Sequence, residues 1–394
     1  MRIFTCTPVA FGGGPDFFAR DSGLLCRGLQ AIGMESRAVM PGERRPQDEE
    51  DLIRTDYRNL ESPEWWRAQQ LDGVVLYAWG RPKFRRVAAA IRQAGIFLVL
   101  NQDNGGLVST LAGFPGWLRE QWILGGQGRD CPSLLRTLKL VLRGISVGLL
   151  VSDPLRATHL KQGDAIACVS PVAAAHYRRL CQVYGGNQLA GRVRVIPHPV
   201  ETRFVCGHME RAPRIVCVGR WQDVVQKRPW LLMDTIGRLV RDDSTVEVVI
   251  AGRPNDAMIC WHGRLQEDER ARITLAGMMG RADLASLLTG AMVFYSPSAY
   301  ESFGIAAAEA LCSGCSVVAA RSVSMSAFEW FVSEKSGRLV ERDDADGHCA
   351  ALLAELRAWN NGERNPAAIS RVWCGRLHAD KVAEQVRGIL HAQG

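Results

Sequence analysis

Residues 291–319 read AMVFYSPSAYESFGIAAAEALCSGCSVVA, and this stretch decides the fold. Residues 291–295 form a short apolar run of the kind found in buried strands. Ser296-Pro297-Ser298 stops that run, because proline cannot donate to a sheet ladder. Residues 315–319 form a second such run, entered through Ser313-Gly314. Between them lies ESFGIAAAE, Glu301 to Glu309, with the composition of a helix. Strand, helix and strand in this order predict a parallel pair with a crossover helix.

The nonapeptide also raises a chemical question, since only small or apolar residues and one serine separate its two carboxylates. On a continuous helix they lie about 12 Å apart along the axis and about 80° apart around it. They could therefore touch two ends of one ligand. The N–H groups of the first turn, near Phe303 and Gly304, would favour an anion at its middle. A sugar joined through a diphosphate to a ribose has that order of hydroxyls, charge and hydroxyls. The same residues also fit a plain reading, in which Glu301 complements the helix dipole and three alanines allow close packing. The nonapeptide alone leaves both open.

Working outward, strand-like runs at 2–6, 36–40, 73–77, 96–100, 165–169 and 193–196 alternate with helical patterns. A proline-marked segment from Pro197 to Pro213 interrupts the alternation and reads as a linker. The pattern then restarts at 214–218, 246–251, 272–275, 291–295, 315–319 and 337–340. We expect an α/β protein with two Rossmann-like domains, 1–197 and 214–375, joined by 198–213 and facing each other across a central cleft. A final helix is expected from about Arg376 to His391.

Composition fits a globular enzyme: 394 residues, 47% hydrophobic and 23% charged. A formal charge of +7 suits anionic ligands or an anionic membrane surface, and is too weak to imply nucleic acid. Met1 runs directly into the first strand pattern without the features of a signal peptide, so a cytoplasmic location is expected. The 12 cysteines are scattered, and Cys312 and Cys315, the one CxxC, read as packing residues because no second ligand pair stands nearby. Asp344-Ala345-Asp346 resembles a metal-holding Asp-x-Asp, but its place before a helical pattern reads as an N-cap.

Three further features bear on a site. Gly12-Gly13-Gly14 follows the first strand, where glycines let backbone approach a phosphate; a tight turn is the alternative. Val218-Gly219-Arg220, with Lys227 and Arg228 shortly after, places cations at a strand's carboxyl end, where they could neutralise a diphosphate or simply be solvated. Residues 134–150 are apolar but carry Arg136, Lys139 and Arg143 on one helix face, which rules out a comfortable membrane span. That pattern fits either an ordinary surface helix or a helix lying on an anionic membrane.

Taken together, the chain resembles the retaining glycosyltransferases of the family 4 type (glycosyl transferases group 1), which have the GT-B architecture. The resemblance rests on Gly12-Gly13-Gly14; Cys168-Val169-Ser170 with residues 195–201; Val218-Gly219-Arg220 with Lys227; and Ser296-Pro297-Ser298 with Glu301 and Glu309. It implies a UDP- or GDP-type sugar donor, no cofactor and no metal. By position, Glu301 would hold the donor sugar, Glu309 the ribose, and Arg220 and Lys227 the diphosphate. Gly13, Gly14, Gly219, Ser302, Phe303, Gly304 and Ile305 would contribute to donor binding, with Met278 beside the base. The segment 376–394 would pack back on the first domain. The acceptor would be a glycan, a lipid-linked or another small molecule, in polysaccharide or glycoconjugate biosynthesis. The enzyme would be cytoplasmic, with a peripheral place on the inner face of the membrane allowed by the basic helix.

The chain departs from the family in lacking the usual acceptor-side histidine after a middle strand, where Asp103 or Asn101 is the candidate replacement. His198 replaces an asparagine in the Ile196-Pro197 segment and reads as a loop residue, and Arg228 is an alternative phosphate contact to Lys227. Two other functions stay open: a nucleotide-sugar-binding protein without transfer, and a dinucleotide-dependent oxidoreductase suggested by the glycine loop.

Overall fold

The computed structural model describes residues 1–126, 133–321 and 327–392. The chain divides into two compact units, one of Met1–Leu118, Lys139–Glu201 and Arg376–Gly394, the other of Arg119–Leu138 and Thr202–Gly375.

The first unit is built on seven parallel strands: β1 (Ile3–Cys6), β2 (Ala38–Pro41), β3 (Leu52–Thr55), β4 (Gly73–Tyr77), β5 (Phe97–Gln102), β6 (Ala165–Cys168) and β7 (Val193–Val195), in spatial order β3-β2-β1-β4-β5-β6-β7. β1, β4 and β6 are buried throughout, because helices cover both faces; such strands read as continuous apolar runs rather than alternating ones. β3, at the edge, was not expected: LIRT is half polar, buries only Leu52 fully and has no unbroken apolar run.

The second unit repeats the plan with β8 (Ala212–Val218), β9 (Glu247–Ala251), β10 (Ile273–Gly277), β11 (Ala291–Ser296), β12 (Ser316–Ala320) and β13 (Gly337–Val340), in order β10-β9-β8-β11-β12-β13. All pairings are parallel. In both sheets the order reverses beside the first strand, at β1/β4 and at β8/β11. Loops at the carboxyl ends of such strands diverge there and leave room for a ligand.

The chain ends by recrossing the first unit. Val200 N–H donates to Leu377 O at 2.7 Å, and Ala379 N–H to Val200 O at 3.0 Å. Helix Ala379–His391 then places Val382, Ala383 and Val386 in one apolar cluster with Leu25, Leu29 and Val75. Burying each valine or leucine is worth about 1.5–3 kcal/mol. Gly28 permits this contact, since a Cβ there would strike the Ala379 carbonyl.

No helix among the described residues is long and apolar enough to cross a membrane. Cys312 and Cys315 are both buried and unbridged, and burial pushes the Cys315 thiol up to about 11. Asp344 caps helix Ala345–Asn360 by accepting from Gly347 N–H at 2.8 Å, as the sequence indicates.

Candidate active site

In the second unit, two loops leave the sheet at its switch point and are zipped together. The loop after β8 turns through a short helix, Val224–Lys227, capped by Asp223. The loop after β11 begins at Pro297. Ala299 N–H donates to Gln226 O at 2.8 Å, and the Gln226 amide donates to Tyr300 O at 3.2 Å. Lys227 is thereby brought onto Glu301, with which it forms a partly buried ion pair. Ser298 Oγ donates to the same carboxylate oxygen at 3.1 Å and is itself reached by Ser296 Oγ at 3.1 Å.

Arg228 does something different from what its neighbour does. It lies in the left-handed region at φ 46° and folds its guanidinium inward, donating to Pro297 O at 2.6 Å and to both Asp343 oxygens at 3.0 and 2.8 Å. His348 Nε2 approaches Asp343 at 2.9 Å, and Tyr295 OH approaches His348 Nδ1 at 2.9 Å. Burial alone would raise the Asp343 carboxyl; the His348 and Arg228 hydrogen bonds and the Arg228 charge outweigh it and hold it well below the usual range. Arg228 is therefore a clamp on the Pro297 loop, its guanidinium engaged by Pro297 and Asp343. Arg220, by contrast, is 77% exposed and only loosely approached by Gln226 at 3.4 Å and Asp223 at 3.9 Å.

Glu301 precedes the helix, which starts only at Ile305, so a separation computed along a continuous helix does not apply. Gly304 at φ 80° breaks the path, and a Cβ there would press on the Phe328 ring. Ser302 lies in this lead-in, and Phe303 sits in the core edge-on to Phe331 at 5.2 Å. Glu309 is 2% exposed and accepts from Arg281 Nη2 at 2.7 Å. Arg281 opens the helix after β10, packs over Phe204 at 4.7 Å, and carries no sequence signal that singles it out. Met278 stands 79% exposed in the loop that leads to Arg281. Gly219 lies against the Trp221 indole, and its N–H donates to Ala251 O at 3.2 Å.

In the first unit, the glycine loop is held by its neighbours. A Cβ on Gly13 would run into Asp48 and Leu52, and Glu49 N–H donates to Gly13 O at 2.9 Å. Asp48 forms a two-pronged ion pair with Arg54 at 2.6 and 2.9 Å, and Arg54 also donates to Phe11 O at 2.8 Å. Gly14 precedes the short helix Pro15–Phe18. Close packing thus accounts for Gly13 without a ligand.

Asp103 and Asn101 part company. Asn101 is buried in β5, its Oδ1 without a hydrogen-bond partner. Asp103, just past the end of β5, lies 2.8 Å from Nε2 of His198, a buried residue rather than a loop ornament. Asp21 Oδ1 approaches the other ring nitrogen at 3.7 Å. Burial would lower the imidazole's pKa; the charge and hydrogen bond of Asp103 and the charge of Asp21 overcome that and the opposing Arg20, raising it to about 8.

Residues 212–357 match the family described as Glycosyl transferases group 1. Over 153 residues the chain is 32% identical to the phosphatidyl-myo-inositol mannosyltransferase of Mycolicibacterium smegmatis, covering 38% of each protein. Over 317 residues it is 26% identical to the D-inositol 3-phosphate glycosyltransferase of Acidothermus cellulolyticus, covering 70% of this chain and 67% of that one. Among solved structures, Anabaena HepE in complex with UDP-glucose superposes with a TM-score of 0.60 at 12% identity over the whole of both chains, a likeness of fold.

Proposed function

The chain belongs to the family Glycosyl transferases group 1 and has its GT-B fold, and we propose that it moves a sugar from a nucleotide diphosphate to a hydroxyl acceptor with retention of configuration and without a metal. The observation that carries this reading is the Lys227–Glu301 pair at the β8/β11 switch point. A cation beside a carboxylate is what a donor with a charged diphosphate and a hydroxylated sugar requires. In this reading Lys227 and Arg220 neutralise the leaving diphosphate, and Glu301 accepts from the sugar hydroxyls. Glu309 takes the ribose hydroxyls while Arg281 fixes its carboxylate. Gly219, Met278 and residues 302–305 line the donor. Rate comes from position and charge neutralisation, not from a triad. HepE's UDP-glucose favours a uridine donor for the first trials.

Transfer from UDP-glucose and a panel of other nucleotide sugars tests this directly. Lys227→Ala and Glu301→Ala should each lower turnover by well over tenfold. Near-normal turnover in both would overturn the role assignments, and donor binding without transfer or hydrolysis in the wild type would favour a pure binding protein.

A membrane surface is a second part of the proposal. Helix Leu134–Arg143 and the π-helical stretch Gly144–Ser152 that continues it expose Leu134, Leu135, Leu138, Leu142, Leu150 and Val151. The stretch 133–152 holds Arg136, Lys139 and Arg143 and no acidic residue. An apolar ridge with only positive charge fits an anionic lipid surface. At about 1 kcal/mol per basic residue, replacing all three by glutamine should weaken co-sedimentation with phosphatidylglycerol vesicles roughly 100-fold. Equal sedimentation of wild type and variant would refute it.

A further inference from the structure

The first unit contains a charged cluster that the donor chemistry does not use. Asp21 opens the helix Asp21–Ala31 in the connection after β1, and Asp103 and His198 come from the loops after β5 and β7; all three connections leave the carboxyl ends of one sheet. His198 reaches the others because the segment after β7 runs back along that edge to pair at Val200. Its imidazole is 1% exposed, with Tyr77 from the end of β4 tilted over it at 6.3 Å. Asp21 holds φ 50°, a left-handed value that aspartate adopts more readily than most residues with a side chain. Asp103 is the outward member, with 22% of its side chain exposed.

We infer that Asp103 accepts a hydrogen bond from a hydroxyl of the acceptor, and that His198 is the positioning residue that orients the Asp103 carboxylate and balances its charge. The inference rests on the transferase reading for its consequence in turnover. Its geometry supports more than a generic acceptor. Two carboxylates, Asp103 and Asp21, flank the His198 imidazole, and the charge of Arg20 opposes them. A phosphate or carboxylate group would be repelled at this point, whereas a neutral hydroxyl donates to Asp103 without opposition. The group that docks here is therefore a neutral polyol or sugar, and any phosphate on the acceptor lies elsewhere. Raised to about 8, His198 keeps its proton near neutrality, supporting the charge balance the geometry already shows.

Saturation-transfer NMR with glucose, mannose and myo-inositol, and with glucose 6-phosphate and inositol 3-phosphate as comparisons, reads the site without turnover. Neutral compounds should bind wild type and lose at least tenfold in affinity in Asp103→Asn. His198→Gln should do the same in part. In transfer assays both variants should raise the acceptor KM about tenfold while leaving the donor KM unchanged. The wild-type acceptor kcat/KM should bend near pH 8, and His198→Gln should abolish the bend. Unchanged polyol binding in Asp103→Asn, or an acceptor KM moved less than threefold in both variants, overturns the inference. If polyols bind through Asp103 but no nucleotide sugar is turned over, the transferase reading fails and the hydroxyl site stands.

Discussion

Replacing Arg228 separates two energies that the structure superimposes at one residue. Its guanidinium makes three hydrogen bonds, to Pro297 O and to both oxygens of Asp343, while its backbone occupies the left-handed region. Removing one partner of a buried pair costs about 3–5 kcal/mol, because the other charge is left behind. The Asp343 side chain is 39% exposed and keeps His348, so water recovers part of that loss and we expect about 3 kcal/mol for Arg228→Ala. Arg228→Gly loses the same bonds but relieves a left-handed strain of about 1–2 kcal/mol, less the extra chain entropy of glycine. It should therefore be the more stable variant by roughly 1 kcal/mol. At about 2–4 °C per kcal/mol for a unit of this size, calorimetry should show the transition of the second unit falling about 6–12 °C in Arg228→Ala and less in Arg228→Gly. Turnover should fall in both, since Arg228 anchors the loop that carries Ser298 and Glu301. Transitions within 1 °C of wild type, or alanine more stable than glycine, would refute the reasoning.

Asp48→Asn should cost about 3 kcal/mol, because Arg54 is left buried without its partner. The Arg54 hydrogen bonds hold the Asp48 carboxyl down to about 2, so its contribution is intact above about pH 4 and lost as pH falls through 2; denaturation curves for the variant should be flatter across that range. His198 works in the opposite sense. With a folded pKa of about 8 against about 6.5 unfolded, it contributes about 2 kcal/mol below pH 6.5 that disappears as pH rises through 8. His198→Gln should remove that slope in urea titrations, and an unchanged slope would contradict the buried ion pair. Gly252→Ala, at φ 101° with its Cβ directed onto the Gly219 carbonyl, should destabilise by about 2 kcal/mol or more and lower donor affinity, read by thermal shift with UDP-glucose.

The alternation of buried strands with helices was legible in the chain because parallel strands covered on both faces need unbroken apolar runs such as IFTC and GVVLY. β3 was not, since an edge strand buries one side chain and leaves polar residues outside. The same division holds in the sites. Lys227 and Glu301 announce themselves by local spacing beside strand ends, and the structure joins them. Arg281 on Glu309, Asp343 on Arg228 and His198 on Asp103 are separated by 28, 115 and 95 positions, and no local pattern encodes such pairs. His198 does lie in the loop after β7, as expected; its burial was not legible, because the prolines on either side mark a turn segment and say nothing of what covers it.

The Lys227–Glu301 pair has a consequence for the order of events at the donor. A diphosphate that takes Lys227 competes with Glu301 for its ammonium, and Glu301, whose side chain is only 12% exposed, keeps Ser298 as its other partner. A sugar on that diphosphate restores what Glu301 loses, through hydroxyls that donate to the carboxylate. UDP alone cannot. Spent donor therefore binds against the tendency of the pair to close, which favours its release after transfer. Glu301→Gln removes the stranded charge, and UDP should bind this variant about tenfold more tightly than wild type, a difference of about 1.4 kcal/mol, while UDP-glucose gains little or binds more weakly. Calorimetric titration of both ligands on both proteins decides it. UDP binding that is equal or weaker in Glu301→Gln would show that Lys227 and Glu301 do not compete with the donor for each other, and the proposed division of diphosphate and sugar between them would fail with it.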